Sequence, residues 1–182
     1  MAAEKGAYYA SHIYNPLGIA GNATAAYEIW ERLSHAPENV ILPVGHGTLF
    51  IGLHHGFKAL RAAGLIDRLP RLVGVQAIAC APIWAVQTYG RDALGWVTEG
   101  ETMAEGIRVL QPIRGDAVLA AITESGGTML AVDEPAIKAG RDHLARMGFY
   151  VEATSAVVWE ALKQVSGEVV AILTGHGLKS LS

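Results

Sequence analysis

Apolar positions along this chain switch between two spacings, and each switch marks an element. Ala25, Ile29 and Leu33 recur at helical spacing and predict an amphipathic helix over 18–36, with Asn22 or Thr24 near its start. The continuous run Val40-Ile41-Leu42-Pro43-Val44 predicts a buried strand at 40–44. Leu49, Leu53, Phe57 and Leu60 then return to helical spacing over about 48–63, ending at Gly64. A strand follows at 71–77, and Pro82 suits the first turn of a helix through Gln87. Residues 88–114 show no usable period; they hold glycines, Trp96 and the acidic residues Glu99, Glu101 and Glu105. A helix is expected over 116–125 and a strand over 127–132. Asp133 then opens a helix with Pro135 in its first turn and Gly148 past its end. Thr154 or Ser155 is expected to cap a further helix to about Val165, before a last strand at 169–173.

Strands separated by helical stretches of roughly ten residues or more imply βαβ units. The expected fold class is therefore α/β, a three-layer α/β/α arrangement with a mostly parallel sheet. No repeat, low-complexity tract or linker interrupts it, so residues 1–182 read as one domain.

Two loops share the tripeptide Gly-His-Gly, and both follow an apolar strand: Gly45-His46-Gly47-Thr48 and Thr174-Gly175-His176-Gly177. In open parallel sheets, ligands bind at the carboxyl ends of strands, where both loops fall. A glycine-rich turn between a strand and a helix lets backbone N–H groups converge on an anion that the helix dipole also favours. Residues 45–49 are thus a candidate phosphate cradle. The same two glycines could equally serve the turn sterically.

Composition narrows the partners. The chain is 51% hydrophobic and 17% charged, with a mean hydropathy of +0.28. That excess implies apolar surface that meets a second subunit, another domain or a large cofactor cleft. A net charge of −3 without any Lys/Arg run argues against nucleic acid or an anionic membrane as partner. The apolar runs are strand-length, and residues 1–6 do not have the apolar core of a secretion signal. Cys80 is the single cysteine, which excludes a disulfide framework and fits a reducing cytoplasm. His46, His54 and His55 match no metal-ligand spacing, so no metal is expected; solvated or stacked histidines are the simpler reading. Glu99, Glu101 and Glu105 read as an exposed acidic loop, and Trp30, Trp84 and Trp159 as core or interface.

An ordered set of segments carries a resemblance. Asn15-Pro16 with Gly21-Asn22-Ala23-Thr24 comes first, then Pro43-Val44-Gly45-His46-Gly47-Thr48. Val73-Gly74-Val75-Gln76-Ala77 with Pro82 follows, and Thr174-Gly175-His176-Gly177-Leu178-Lys179 closes the set. Together they resemble the second half of a fold-type-II pyridoxal-phosphate enzyme of the tryptophan synthase β-subunit superfamily, on its threonine synthase and threonine dehydratase-like branch. The resemblance implies that the chain is the large-domain portion of that fold. It implies pyridoxal 5'-phosphate as cofactor, its phosphate held by Gly45, His46, Gly47, Thr48 and Leu49, with His46 a departure from the usual loop. It also places Thr174 opposite the pyridine nitrogen. A hydroxyl there cannot keep that nitrogen protonated as a carboxylate would, which favours elimination and replacement chemistry. The bland alternative for Thr174 is a strand-end hydroxyl that satisfies a turn.

The implied activity is that of a lyase of threonine synthase type, converting phosphohomoserine to threonine and phosphate, with a serine/threonine dehydratase-like lyase as the alternative. The family's Schiff-base lysine lies upstream of everything matched. Lys5, Lys58, Lys138, Lys163 and Lys179 do not stand in its pattern. The expectation is therefore a truncated chain without the N-terminal half, with no catalytic residue of its own and inactive alone. A catalytically silent scaffold is the rival. Expected partners are a small amino-acid substrate and either a second copy or the missing half.

Overall fold

The protein's structure, a computed structural model, describes residues 6, 11 and 13–180. Its strands are β1 (Asn39–Pro43), β2 (Arg71–Ala77), β3 (Thr128–Val132) and β4 (Val169–Ala171). They form one parallel sheet in the order β3-β2-β1-β4. The central strands β1 and β2 are buried almost throughout, as their continuous apolar runs require, whereas the edge strands are only partly covered.

Alternation along β1 divides the core in two. Val40 and Leu42 pack on one face with Phe50, Leu53 and Phe57, while Ile41 packs on the other with Val73, Val157 and Val158. The first face is covered by α1 (Leu17–Leu33), α2 (Thr48–Ala62), α3 (Pro82–Tyr89) and α4 (Gly115–Ser125). The second is covered by α5 (Glu134–Arg146), α6 (Ala153–Ala156) and α7 (Val158–Leu162). The architecture is the three-layer α/β/α arrangement expected from the sequence.

Close contacts fix how the helices sit. Helices α1 and α2 approach through small residues: a Cβ at Gly56 would run into the Ala23 carbonyl oxygen. Helix α3 begins at Pro82, and its first turn is capped from the sheet. The buried Gln76 side-chain oxygen accepts from the backbone N–H of Ile83 and Trp84, each at 3.0 Å. Helix α5 starts as expected, with Asp133 accepting from Ala136 N–H at 2.9 Å.

Three expectations need correction. The first helix begins at Leu17, where Asn15 Oδ1 accepts the Leu17 N–H at 3.0 Å, so Asn22 and Thr24 lie well inside it. Neither Thr154 nor Ser155 caps a helix: both sit within α6, which begins after Glu152 and is followed directly by α7. Their hydroxyls are used for tertiary contacts instead. The last strand is also shorter than 169–173, although Ile172 N–H still donates to Ile41 at 2.8 Å. The unassigned stretch 88–114 consists of short 3₁₀ turns at Arg91–Gly95 and Glu105–Ile107 with irregular connections.

Candidate functional site

The parallel pairing of β1 with β4 decides where the two Gly-His-Gly loops meet. Ile41 stands opposite Ala171, so both strands end on the same edge of the sheet, side by side. Between their loops lies a cavity of about 520 Å³, with Gly45, His46, Gly47, Thr48, Leu49 and Thr174 all in its wall. The residues singled out from sequence are therefore brought together.

The first loop is shaped to present backbone. Gly47 has φ of +92°, a conformation that disfavours any side chain, and a Cβ there would crowd Val118. A Cβ on Gly45 would lie 3.2 Å from the Gly106 carbonyl oxygen. Gly47 then caps α2, whose first N–H groups have no acceptor within the helix. No acidic side chain occupies that first turn, so its positive end is open to an anion. Thr48 Oγ1 is buried at the atom level and has no hydrogen-bond partner among the described residues. A phosphate at this helix end would supply the acceptor that the hydroxyl and the N–H groups share. The arrangement fits the cofactor that the resemblance implies.

The opposite wall is held by two consecutive hydroxyls of α6. Thr154 Oγ1 accepts from Gly106 N–H at 3.1 Å, fixing the turn that carries Gly106 and Ile107 into the cavity. Ser155, fully buried, accepts from the N–H groups of Thr174 and Gly175 at 2.8 and 2.9 Å. It also lies 2.9 Å from Thr174 Oγ1. Glu152 and Lys179 complete that side, with Lys179 Nζ 3.5 Å from Glu152 Oε2. An antiparallel bridge between Val151 and His176 ties the segment before α6 to the last loop.

Asn22, Gly106, Ile107, Glu152, Thr154, Ser155 and Lys179 were not foreseen as part of the site. Only Asn22 and Lys179 had a sequence signal, since both belong to the segments that carried the resemblance. The three glutamates of the unassigned stretch stay exposed, with Glu99 facing Arg108 at 3.8 Å, while Gly106 beside them reaches the cavity.

Other candidates fall away. Among the described residues, no three His, Cys, Asp or Glu side chains gather as a metal site. His54 is buried in α2 against α4, whereas His46 lines the cavity and His55 is exposed. Burial pushes the Cys80 thiol up, and nearby Glu99 adds to this, the opposite of an activated nucleophile. A further depression of about 550 Å³ between α3 and α4 is lined mainly by Pro82, Ile83, Val86, Leu94 and Leu119. It contains neither a glycine-rich loop nor an unpartnered hydroxyl. No described helix is long and apolar enough to cross a membrane.

The sequence profile of a family described as pyridoxal-phosphate dependent enzyme matches residues 1–175. The chain is 36% identical to threonine synthase of Methanocaldococcus jannaschii over 98% of its own length and 46% of that protein's. It is also 36% identical to threonine synthase of Synechocystis, over 91% of its length and 43% of the relative's. The chain thus spans about half the length of the curated relatives it matches. The solved structure of a threonine deaminase from T.th. superposes with a TM-score of 0.74 at 26% identity, covering 97% of this chain and 62% of that one. Maize serine racemase, at 19% identity and a TM-score of 0.73, shares the fold over 96% of this chain and 54% of its own.

Proposed function

The chain belongs to the pyridoxal-phosphate dependent enzyme family, whose cofactor is pyridoxal phosphate, and on that premise we propose that its cavity holds this cofactor in a lyase of threonine synthase type. The observation that carries the assignment is the unpartnered Thr48 hydroxyl beside the open N-terminus of α2, inside the cavity that Thr174 closes from the neighbouring strand. Gly45, His46, Gly47, Thr48 and Leu49 would hold the phosphate, and Thr174, across the cavity, would meet the ring.

When bound, the cofactor's pyridine ring withdraws electrons from an amino acid attached to it, which labilises bonds at the neighbouring carbons. This chain's residues bind and orient. The backbone of 45–49 and the Thr48 hydroxyl neutralise the phosphate dianion. Thr174 supplies a hydroxyl and no charge, so the ring stays a mild electron sink suited to elimination and replacement. Phosphohomoserine is the proposed substrate: its C–O bond to phosphate breaks and water adds at the adjacent carbon, giving threonine and phosphate. Threonine synthase relatives at 33–36% identity support that substrate. The structural neighbour at 26% identity, a threonine deaminase, supports the second reading, a dehydratase-like lyase that releases ammonia.

We also propose that these 182 residues form one folded unit that turns over no amino acid alone. Among the described lysines, Lys58 is engaged by Glu124 and Lys163 by Glu160, while Lys138 is exposed on α5; Lys5 lies outside the described residues. Lys179 lines the cavity but is paired with Glu152, and an ammonium group engaged in this way is a poor nucleophile. Borohydride reduction with pyridoxal phosphate, followed by peptide mapping, should show no stoichiometric lysine label. Adding a separate segment covering the unmatched part of the Methanocaldococcus relative should produce phosphate from phosphohomoserine. Ammonia from threonine without phosphate release would favour the deaminase reading. Sustained turnover by the chain alone, with one lysine fully labelled, would overturn the claim of inactivity.

A further inference from the structure

A serine hydroxyl has one hydrogen to give and two lone pairs to accept with. Ser155 lies fully buried, and two backbone N–H groups, those of Thr174 and Gly175, already point at its oxygen. Both lone pairs are therefore taken. If Thr174 also donated to Ser155, the oxygen would face three donors, and its own hydrogen would be stranded in a site closed to solvent. The 2.9 Å contact between the two hydroxyls consequently has one satisfied polarity, with Ser155 donating to Thr174 Oγ1. The hydrogen of Thr174 is then left to point elsewhere, and Thr174 borders the cavity.

The loop cannot readily escape this arrangement. Glu152 N–H donates to the Gly175 carbonyl at 3.0 Å, and Gly177 N–H donates to the Tyr150 carbonyl at 2.9 Å. A Cβ at Gly175 would meet the Glu152 carboxylate, so the glycine leaves room for that side chain beside the loop.

We propose that Ser155 is a positioning residue for the cofactor ring: by donating to Thr174 Oγ1, it fixes the Thr174 hydroxyl as a donor into the cavity, matched to an unprotonated ring nitrogen. The inference rests on the cofactor assignment above and adds the residue that sets the direction of the hydrogen bond. A neutral pyridine nitrogen can only accept a hydrogen bond. With one Thr174 lone pair taken by Ser155 and its hydrogen free, the hydroxyl favours that form over the protonated one, which would need an acceptor there.

The test uses the full chain with pyridoxal phosphate labelled with ¹⁵N in the ring. The ring-nitrogen resonance is followed from mildly acid to mildly alkaline pH, alongside amide hydrogen exchange without cofactor. In the unsubstituted protein the nitrogen should stay at the position of a neutral, hydrogen-bonded pyridine throughout. In Ser155→Ala it should titrate, and the Thr174 and Gly175 amides should exchange roughly tenfold faster, as expected for the loss of about one net hydrogen bond. The Thr48 and Leu49 amides should be unchanged. Ser155→Thr, which keeps the hydroxyl, should restore both signals. Thr174→Val, which keeps the volume and removes the donor, should abolish the nitrogen's hydrogen-bond shift while leaving the Gly175 amide protected; it serves equally if Ser155→Ala does not fold. A protonated ring nitrogen in the unsubstituted protein overturns the proposal, as does a Ser155→Ala resonance with unaltered pH response. Absence of cofactor binding overturns the cofactor assignment and this inference together, whereas binding with a nitrogen indifferent to Ser155 overturns this inference alone.

Discussion

Ile41 stands directly beside Ala171 in parallel register, and this one pairing brings both Gly-His-Gly loops to the same edge of the sheet. A strand inserted between them would separate the loops by a further strand spacing, about 4.8 Å, and open the cavity. The site is a product of topology as much as of its two motifs.

Gly47 is constrained both by its backbone and by its neighbours. With φ of +92° and Val118 beside it, Gly47→Ala should cost about 1–2 kcal/mol of stability, the usual penalty for a left-handed residue with a Cβ. It should also weaken phosphate binding. Chemical denaturation and a phosphate titration of the same variant check both effects.

Gly56 tests the contact between α1 and α2. Gly56→Val forces a branched side chain into the Ala23 backbone and should cost about 1–3 kcal/mol, with a lower thermal midpoint. Because α1 contributes Gly18 and Asn22 to the cavity wall, cofactor affinity should fall with it.

Asp133 is a helix cap away from the cavity. Asp133→Ala should lower stability by about 1 kcal/mol and leave cofactor binding unchanged, as read by denaturation and by titration.

His54 gives the protein a pH dependence of definite sign. Burial holds its pKa below the ordinary 6.5, against the opposing pull of Glu124, and Lys58, His55 and Arg61 reinforce the lowering. Nε2 lies 3.3 Å from Glu124 Oε2 without making a hydrogen bond, which explains why burial prevails. The unfolded chain therefore binds a proton at this position before the folded one does. The contribution of neutral His54 is present above 6.5 and is lost as pH falls through its lower folded value. His54→Leu should show a smaller loss of stability on acidification. A denaturation series across that range decides it.

Much of this was legible in the chain because it is local. The run 40–44, the glycine loop and the spacing of Leu49, Leu53 and Phe57 each report on neighbours a few residues away, and strand, loop and helix appeared where expected. Ser155 shows the opposite case. Its hydroxyl resembles a helix cap in sequence, yet it binds a loop 19 residues later, a pairing set only when β4 docks on β1. The stretch 88–114 was opaque because short 3₁₀ turns carry no hydrophobic period, and so Gly106 and Ile107 went unrecognised as cavity wall.

Thr48 offers a graded test of the phosphate contact. Thr48→Val removes the unpartnered hydroxyl at nearly constant volume. A hydrogen bond to a charged group is worth about 1.5–3 kcal/mol, so phosphate affinity should fall roughly tenfold or more. Stability should stay level or rise slightly, since a buried unsatisfied group is lost.

The central claim is that the loop at 45–49 receives the phosphate of pyridoxal phosphate while Thr174 meets its ring. Its most direct measurement is a backbone-amide NMR titration of the chain with pyridoxal phosphate, repeated with pyridoxal lacking the phosphate. Saturable shifts at Gly45, Gly47, Thr48 and Leu49 together with Thr174 and Gly175, much weakened for pyridoxal, are predicted. Shifts confined to the apolar depression between α3 and α4, or equal responses to both compounds, would contradict it.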